Sequence, residues 1–369
     1  MTDVLLQELS NSDIEWLKNT GQTQRVAVNT LLIEQTKQVD FVYIIIQGEF
    51  IATLTRHEKG RLGEVFAALE DNQSLEQEIG KFSEGEILGE MSFLEVNPAA
   101  NSIRAIADSV VLSIPRESLN QKLQQDYGFA ARFYRGMTIL LLERFQHLIT
   151  LYLKKRLGQI APLQEVSLIF GELRDSDVDW FLQKGKLETF PPNTVLIQSG
   201  EQVENIYILL QGVMNVSVSE QKKNRLNSIF ALLESDDNTS SAPVEREIGH
   251  ISRGEIVGEI AVLESHRSYC TIKTVENCSV LVISRQQMIL KLQQDIGMAS
   301  RFYRVIAKLM SGRVQGMISR LGFGKTSYSQ GEALSQDTTY EDEIDLDVMD
   351  NLTLGGARFD WMLRRLKVS

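Results

Sequence analysis

The sequence predicts a mainly β protein with flanking helices, built as a tandem repeat, and two observations carry this prediction. Blocks of the first half return in the same order in the second half: SDIEWL at 12–17 as SDVDWF at 176–181, NTLLI at 29–33 as NTVLI at 193–197, and YIIIQG at 43–48 as YILLQG at 207–212. Short apolar or alternating runs, separated by glycine, are typical of strands and tight turns. A repeat of this length indicates two copies of one domain.

Each repeat is expected to open with a short amphipathic helix, which Ser12 or Ser176 caps and which carries acidic residues in its first turn. Several β-rich runs follow before a long helix. A helix-like segment interrupts the β-rich part, at 64–70 and again at 228–234, and a buried strand is the alternative interpretation of it.

A glycine–glutamate loop is the most distinctive repeated feature. GEMSFLEVNPAANSIRA at 89–105 returns as GEIAVLESHRSYCTIKT at 258–274, and each copy follows a glycine turn and precedes an alternating strand. A strand, a glycine turn, a polar segment and a second strand place backbone N–H groups around a concavity that can hold an anion. We therefore expect a ligand site in each repeat.

The loop and its flanks resemble the phosphate-binding cassette of cyclic nucleotide-binding domains, the modules found in protein kinase A regulatory subunits, catabolite activator proteins and gated channels. The family pattern is roughly Gly-Glu-Leu-Ala-Leu, a short variable run, then Pro-Arg-Ala-Ala-Thr-Val. The resemblance implies that each repeat is a jelly-roll-type β-roll with flanking helices. It also implies that Glu90 and Glu259 accept the ribose 2′-hydroxyl, while an arginine and backbone amides hold the cyclic phosphate.

The arginine of the family pattern is not matched in register. Ala99 stands at its place in the first repeat, and Ser268 stands there in the second, with Arg267 one position earlier. Loss of a charge-assisted hydrogen bond of about 1.5–3 kcal/mol weakens phosphate binding roughly ten- to a hundredfold. We therefore expect the second repeat to bind a cyclic nucleotide better than the first. The ligand-binding candidates are Gly258, Glu259, Ile260, Ala261, Arg267, Ser268 and Thr271, and in the first repeat Gly89, Glu90, Met91, Ser92, Asn101 and Ser102.

A long amphipathic helix is predicted after each copy of KLQQD, at 122–126 and 291–295, because apolar residues then recur at helical spacing. Such an apolar stripe needs a partner. Either the two helices pair within the chain, or each packs on its own roll. The basic-aromatic sequence RFYR, at 132–135 and 301–304, is interpreted as a structural element that holds helix to roll.

The repeat ends near Gly322, which sets the predicted domain boundaries. Residues 1–158 and 166–322 are expected to be the two cyclic nucleotide-binding-like domains, followed by a flexible acidic linker at 323–356 and an amphipathic segment at 357–369. The linker is predicted from its polar composition and acidic run.

The C-terminal segment is predicted to dock as a short helix. Its partner-binding candidates are Phe359, Trp361, Met362, Leu363 and Leu366, four of them at helical spacing with the tryptophan beside them. So short a helix does not hold itself in water, so it needs a groove on the chain's own rolls or on a protein partner. The alternative is a disordered tail whose spacing is accidental.

Composition and charge exclude several classes of function. The chain of 369 residues is 43% hydrophobic with a net charge of -11, which argues for a globular protein and against a nucleic-acid partner. No transmembrane segment or leader pattern is visible, so a cytoplasmic location is expected. The four histidines show no metal-ligand spacing, and no nucleotide-triphosphate loop or nucleophile elbow is present. We therefore predict no catalytic residue, no metal site and no enzyme.

Two functions are left. The first is a non-enzymatic regulatory protein that senses a cyclic nucleotide, cAMP or cGMP, or a related phosphorylated ligand and signals to a protein partner through its C-terminal tail. The second is a scaffold or adaptor with degenerate, ligand-free domains. Which base is preferred and whether the chain forms a homo-oligomer stay open.

Overall fold

The computed structural model of the chain describes residues 4–55, 76–95, 98–155, 168–219, 245–263, 267–320 and 346–368. The chain divides into two compact units, Met1–Lys155 with Lys291–Met349, and Arg156–Leu290 with Asp350–Ser369. The helix-like segments expected at 64–70 and 228–234 lie outside the described residues.

The β-structure of the first unit consists of two four-stranded antiparallel sheets, which we call roll 1. Their strand orders are β1-β8-β3-β6 and β2-β7-β4-β5. Alternate side chains of the strands face inward and form the core, as Val42 and Ile44 do. The elements are α1 (Val4–Glu8), α2 (Asn11–Thr20), β1 (Gln22–Val26), β2 (Leu31–Ile33), β3 (Phe41–Gln47), β4 (Phe50–Thr55), β5 (Glu76–Phe82), β6 (Ile87–Leu88), α3 (Glu90–Glu95), β7 (Ser102–Ala105), β8 (Ser109–Pro115), α4 (Arg116–Gln125) and α5 (Tyr127–Lys155).

The second repeat forms the same two sheets, which we call roll 2, with orders β14-β11-β16-β9 and β10-β15-β12-β13. Each strand of roll 2 has the neighbours that its counterpart has in roll 1, so the predicted tandem β-roll fold is confirmed. The elements are α6 (Leu168–Glu172), α7 (Asp175–Lys184), β9 (Lys186–Phe190), β10 (Val195–Ile197), β11 (Asn205–Gln211), β12 (Met214–Ser219), β13 (Glu245–Ile251), β14 (Ile256–Val257), a 3-10 turn at Glu259–Val262, β15 (Thr271–Thr274), β16 (Cys278–Ser284), α8 (Arg285–Gln294), α9 (Ile296–Arg320) and α10 (Leu346–Leu366).

The two long helices, α5 and α9, pack against each other within the first unit. The hydroxyl of Thr138 on α5 lies 3.4 Å from the carbonyl oxygen of Tyr303 on α9, and Met137 and Met310 are fully buried. The sequence left two alternatives for the apolar stripes: the two long helices pair with each other, or each packs on its own roll. The structure shows that they pair with each other. The stretch predicted as a single domain at 166–322 is consequently divided, because α9 finds its apolar partner on α5 and joins the first unit.

The KLQQD motif is a helix cap. Asp126 accepts a hydrogen bond from the backbone N–H of Phe129 at 2.9 Å and from Lys122 Nζ at 2.8 Å, so it caps the start of α5. In the second copy, Asp295 makes the same two bonds at the start of α9. The hydrogen bond from Lys122 holds the pKa of Asp126 below its ordinary value.

The RFYR sequence connects helices. On α5, Arg132 donates two hydrogen bonds to the buried carboxylate of Asp13 on α2, at 2.6 and 3.0 Å, and Arg135 pairs with Glu8 on α1. In the first unit these arginines thus attach α5 to the N-terminal helices, whereas we expected contacts to the roll.

Helix α10 corrects the predicted boundary at the C-terminus. It begins at Leu346, inside the segment 323–356 that we predicted to be a flexible linker, and continues to Leu366. Met349 and Leu352 continue the helical spacing of Phe359 in the sequence, so the amphipathic pattern starts before the acidic run ends.

Among the described residues, no helix has the length and apolar content needed to cross a bilayer.

Candidate functional site

The glycine–glutamate loop of roll 1 starts with a backbone turn that only glycine fits well. Gly89 has a φ of +84°, and a Cβ placed on it would lie 3.0 Å from the carbonyl oxygen of Phe41 and 3.1 Å from Val39. A side chain would be strained by both the left-handed backbone and the close neighbours. The turn directs Glu90 inward, where its side chain is buried at the start of α3.

Roll 2 builds its loop in the same way. Gly258 has a φ of +80°, and a Cβ on it would lie only 2.4 Å from the carbonyl oxygen of Asn205. Glu259 follows as a buried residue at the start of the 3-10 turn. We call the segments 89–105 and 258–274 the cassettes of roll 1 and roll 2.

Arg144 on α5 reaches the buried carboxylate of roll 1. It donates to Glu90 Oε1 and, through Nη2, to the carbonyl oxygen of Ile87 at 2.6 Å. Its guanidinium lies over the ring of Phe82 at 4.6 Å. Helix α9 also packs on α3, so both long helices flank the roll 1 cassette.

Sequence reasoning missed Arg144. A signal for it was present, because Arg144 and Arg313 occupy the same place in the two long helices, and each stands within an otherwise apolar stripe. A charged residue repeated inside an apolar stripe indicates a buried partner.

The two positions at which the family pattern has arginine are filled by small, buried residues. Ala99 is 6% exposed and Ser268 is 4% exposed. Their backbone N–H groups bond to the turns that follow β2 and β10. Ala99 N donates to Lys37 O at 2.9 Å, and Ser268 N donates to Glu201 O at 2.9 Å. Neither position therefore provides a cationic side chain.

Several hydroxyl groups predicted to bind ligand make hydrogen bonds inside the rolls. Ser102 Oγ accepts from the N–H of Gln35 at 3.1 Å, and Thr271 Oγ1 accepts from the N–H of Ser199 at 3.2 Å. Ser268 Oγ donates to the carbonyl oxygen of Cys270 at 2.7 Å. Asn101 is buried as well, with its amide 3.4 Å from the carbonyl oxygen of Ser102.

Arg267 lies at the surface. Its Nη1 donates to the carbonyl oxygen of Gly200 at 2.9 Å, and its backbone forms an isolated bridge with Gln202. Arg267 is one of the predicted ligand-binding residues, and in this structure its guanidinium contacts the turn between β10 and β11.

The remaining cassette candidates lie around the two glutamates. Ser92, Ile260 and Ala261 are buried, and Met91 is half-buried. Arg285 at the start of α8 donates to the carbonyl oxygen of Ala261 at 2.7 Å, which fixes the 3-10 turn against the end of the roll.

The predicted partner-binding residues of the tail are mostly not at the surface. Phe359, Met362 and Leu363 are buried, while Trp361 and Leu366 are half-buried. The ring of Phe359 lies 5.4 Å from that of Phe170 on α6, so this part of α10 contacts its own second unit. The apolar face that we assigned to a partner is thus covered in this structure.

In the described part of the chain, no group of three or more histidine, cysteine, aspartate or glutamate side chains is arranged to hold a metal ion. Cys270 and Cys278 are both buried, reduced thiols, and burial raises the pKa of Cys278.

The model of the cyclic nucleotide-binding domain matches this chain at residues 23–126 and 238–295. These two regions lie in the first and second repeat and include Glu90 and Glu259. No curated protein matches the chain.

Solved structures similar to this chain include regulatory parts of protein kinase A. The regulatory domain of Toxoplasma gondii PKA with cAMP is 14% identical over 81% of this chain and 89% of that chain, with a TM-score of 0.28. The regulatory subunit of a cAMP-independent protein kinase A from Trypanosoma cruzi, bound to guanosine, is 15% identical over 80% and 81%, with a TM-score of 0.28. A cyclic nucleotide-binding domain from Methylobacillus flagellatus is 23% identical over 41% and 76%, with a TM-score of 0.35.

The family assignment rests on the two matched regions and on the repeated cassettes, and the overlays at these scores add nothing to it. Each of the two rolls contains a region that matches the cyclic nucleotide-binding domain family.

Proposed function

We propose that the chain is a non-enzymatic regulatory protein that senses a cyclic nucleotide, cAMP or cGMP, or a related phosphorylated ligand through roll 2 and signals to a protein partner. The geometry of the roll 2 cassette carries the proposal. Gly258 forms the turn, and the Glu259 that follows it is buried, with 4% of its surface exposed. A carboxylate in this position suits a ribose hydroxyl, by the family resemblance.

Roll 2 is the better candidate of the two because of the charges around its cassette. In roll 1, the loop before β7 contains no lysine or arginine. In roll 2, Arg267 lies in the loop and its guanidinium donates to a neutral carbonyl. A phosphate is a stronger acceptor for a guanidinium than a carbonyl is, so a bound phosphate competes with Gly200 for this side chain.

Calorimetric titration of the full chain with cAMP, cGMP and cyclic dinucleotides tests the ligand. We expect one binding event, which Glu259→Gln abolishes and which the matched variant Glu90→Gln retains. Arg267→Ala is expected to weaken the affinity about ten- to a hundredfold, because it removes one charge-assisted hydrogen bond. Loss of binding in the Glu90 variant alone, with a thermal unfolding transition that shows the variant to be folded, would instead assign the site to roll 1.

The second candidate function is a scaffold or adaptor with ligand-free rolls, and one observation favours it. Ala99 and Ser268 leave both family arginine positions without a cation, while the hydroxyls of Ser102 and Thr271 are already used inside the rolls. A roll keeps its fold after a site decays, because its core does not depend on the ligand. Absence of heat with every nucleotide tested would favour this candidate.

The output of the protein is proposed to pass through α10. Because Phe359, Met362 and Leu363 are buried, a partner reaches them only when α10 leaves its position. Comparing the proteins captured by the full chain and by a chain lacking 351–369, together with the solution mass of each, tests this output. Two reduced cysteines fit the cytoplasmic location that we propose.

A further inference from the structure

The C-terminal helix α10 is attached to the second unit by a specific set of contacts. Arg358 donates from Nε to Asp175 Oδ1 at 2.7 Å and from Nη1 to the carbonyl oxygens of Phe170 and Gly171 at 3.0 and 3.1 Å. These carbonyls belong to the last turn of α6, where helix carbonyls lack partners within the helix. A guanidinium at this end of a helix is favourable to both the hydrogen bonds and the helix dipole.

A second contact joins α10 to the β-sheet. Phe359 packs against Phe170, and the guanidinium of Arg253 lies 5.7 Å from the centroid of the Phe359 ring. Phe359 is only 6% exposed. The aromatic ring is therefore held between α6 and the turn that joins β13 to β14.

The two repeats differ at each of these three contact positions. The first repeat has Leu6, Asn11 and Glu84 at the places that Phe170, Asp175 and Arg253 take in the second. Leu6 has no aromatic ring to pack on Phe359, and Asn11 has no negative charge to pair with Arg358. Glu84 carries a negative charge where Arg253 carries a positive one. The second unit thus carries a receptor surface for α10, made of Phe170, Asp175 and Arg253, whose counterparts in the first repeat are different residues.

Arg253 also connects this surface to the cassette. It lies in the turn between β13 and β14, which is held by bonds from Ser252 N to Glu255 Oε2 at 2.7 Å and from Gly254 N to Leu209 O at 2.7 Å. Strand β14 is only two residues long, and Gly258 follows it directly. The backbone that carries Arg253 is therefore continuous with the start of the cassette over a few residues.

We propose that α10 is a displaceable strap on the second unit, coupled through Arg253 to the cassette that begins at Gly258, so that the docked state of α10 reports the state of the cassette. Coupling of this kind is reciprocal in free energy, so a change in the cassette alters the free energy of α10 docking by as much as docking alters the free energy of that change. The meaning of the cassette as a ligand site rests on the proposed function, whereas the coupling is measurable in the absence of ligand.

Amide hydrogen exchange of the full chain, followed by mass spectrometry, tests the coupling. In Phe359→Ala we expect exchange of α10 to rise about tenfold or more and exchange of 253–263 to rise about threefold or more, because both lose their mutual support. Strands β11 and β16 serve as an internal reference for the fold of roll 2, and 84–94 in roll 1 is expected to stay unchanged.

Arg253→Glu provides a second variant at an exposed position, so it does not threaten the core, and Glu84→Arg is its matched control in roll 1. We expect the first to raise exchange in α10 and the second to leave α10 unchanged. A rise in α10 without any change at 253–263 would overturn the coupling, and an unchanged α10 in Phe359→Ala would overturn the docking. Failure of all nucleotides to bind would overturn the proposed function but not these results.

Discussion

Arg144 of the long helix α5 donates a hydrogen bond to the buried carboxylate of Glu90, the residue that the family resemblance assigns to the ribose. The pair connects the helix to the cassette of roll 1 within one unit. Removing one member of the pair leaves the other as a buried charge without its partner, which is strongly destabilising.

We expect Arg144→Ala to lower the free energy of unfolding by about 3–5 kcal/mol, since Glu90 then remains buried without a cation. The double variant Arg144→Ala with Glu90→Gln is expected to recover part of this loss. His147→Ala, an exposed position on the same helix, is the control and should change stability little. Urea denaturation of Arg144→Ala, Glu90→Gln and the double variant provides the measurement, and a loss in the double variant equal to the sum of the two single losses would show that the pair does not interact.

A glycine can be required by a left-handed backbone or by a neighbouring atom that leaves no room for a Cβ. Comparing Gly258, Gly200 and Gly249 distinguishes these two requirements. Gly258 combines a positive φ with a Cβ clash at 2.4 Å, Gly200 has a φ of +84° and open space, and Gly249 has open space alone. We expect Gly200→Ala to cost about 1–2 kcal/mol for the left-handed backbone, Gly258→Ala to cost more, and Gly249→Ala to be near neutral. Thermal denaturation ranks the three, and a Gly258 variant as stable as the Gly249 variant contradicts the cassette geometry.

Acid is expected to destabilise the packing of α5 on α2. Burial acts to raise the pKa of Asp13, but hydrogen bonds from Arg132 and Ser10 outweigh it, so the pKa lies below its ordinary value. The unfolded chain then binds more protons than the folded chain in acid. The stabilisation is present above the unfolded pKa of about 3.9 and is lost as the pH falls through the lower folded pKa.

Asp13→Asn is accordingly expected to be less stable at neutral pH and to show a flatter loss of stability below about pH 4. Melting temperatures measured between neutral and strongly acidic pH test this. Identical acid limbs for the variant and the parent chain would mean that Asp13 does not contribute.

The buried face of α9 is expected to contribute more stability than its exposed face. Met310 is fully buried and Ile296 is 49% exposed on the same helix. Met310→Ala should cost about 2–5 kcal/mol through lost burial and a cavity, while Ile296→Ala should stay within about 0.5 kcal/mol. Guanidinium denaturation measures both, and equal effects would contradict the packing of α9 in the first unit.

Local signals in the sequence predict the tandem β-rolls, the two cassettes and their missing arginines. Strand alternation, glycine turns and the repeated Gly-Glu pair are local signals, and Gly89 and Gly258 take the left-handed backbone at the turns that their sequence context indicates. The replacement of arginine by Ala99 and Ser268 is likewise visible in the sequence alone.

Which surfaces pack together is visible only in the folded chain, because an apolar stripe indicates that a helix is buried but does not identify its partner. Only the folded chain shows that α9 pairs with α5, that Arg144 reaches Glu90 across 54 residues of sequence, and that Arg267 points to Gly200. For the same reason, the sequence predicts an amphipathic tail but does not identify the surface that it contacts. In the structure, Phe359 of α10 contacts Phe170 and Arg253 of the second unit, which are far from it in the chain.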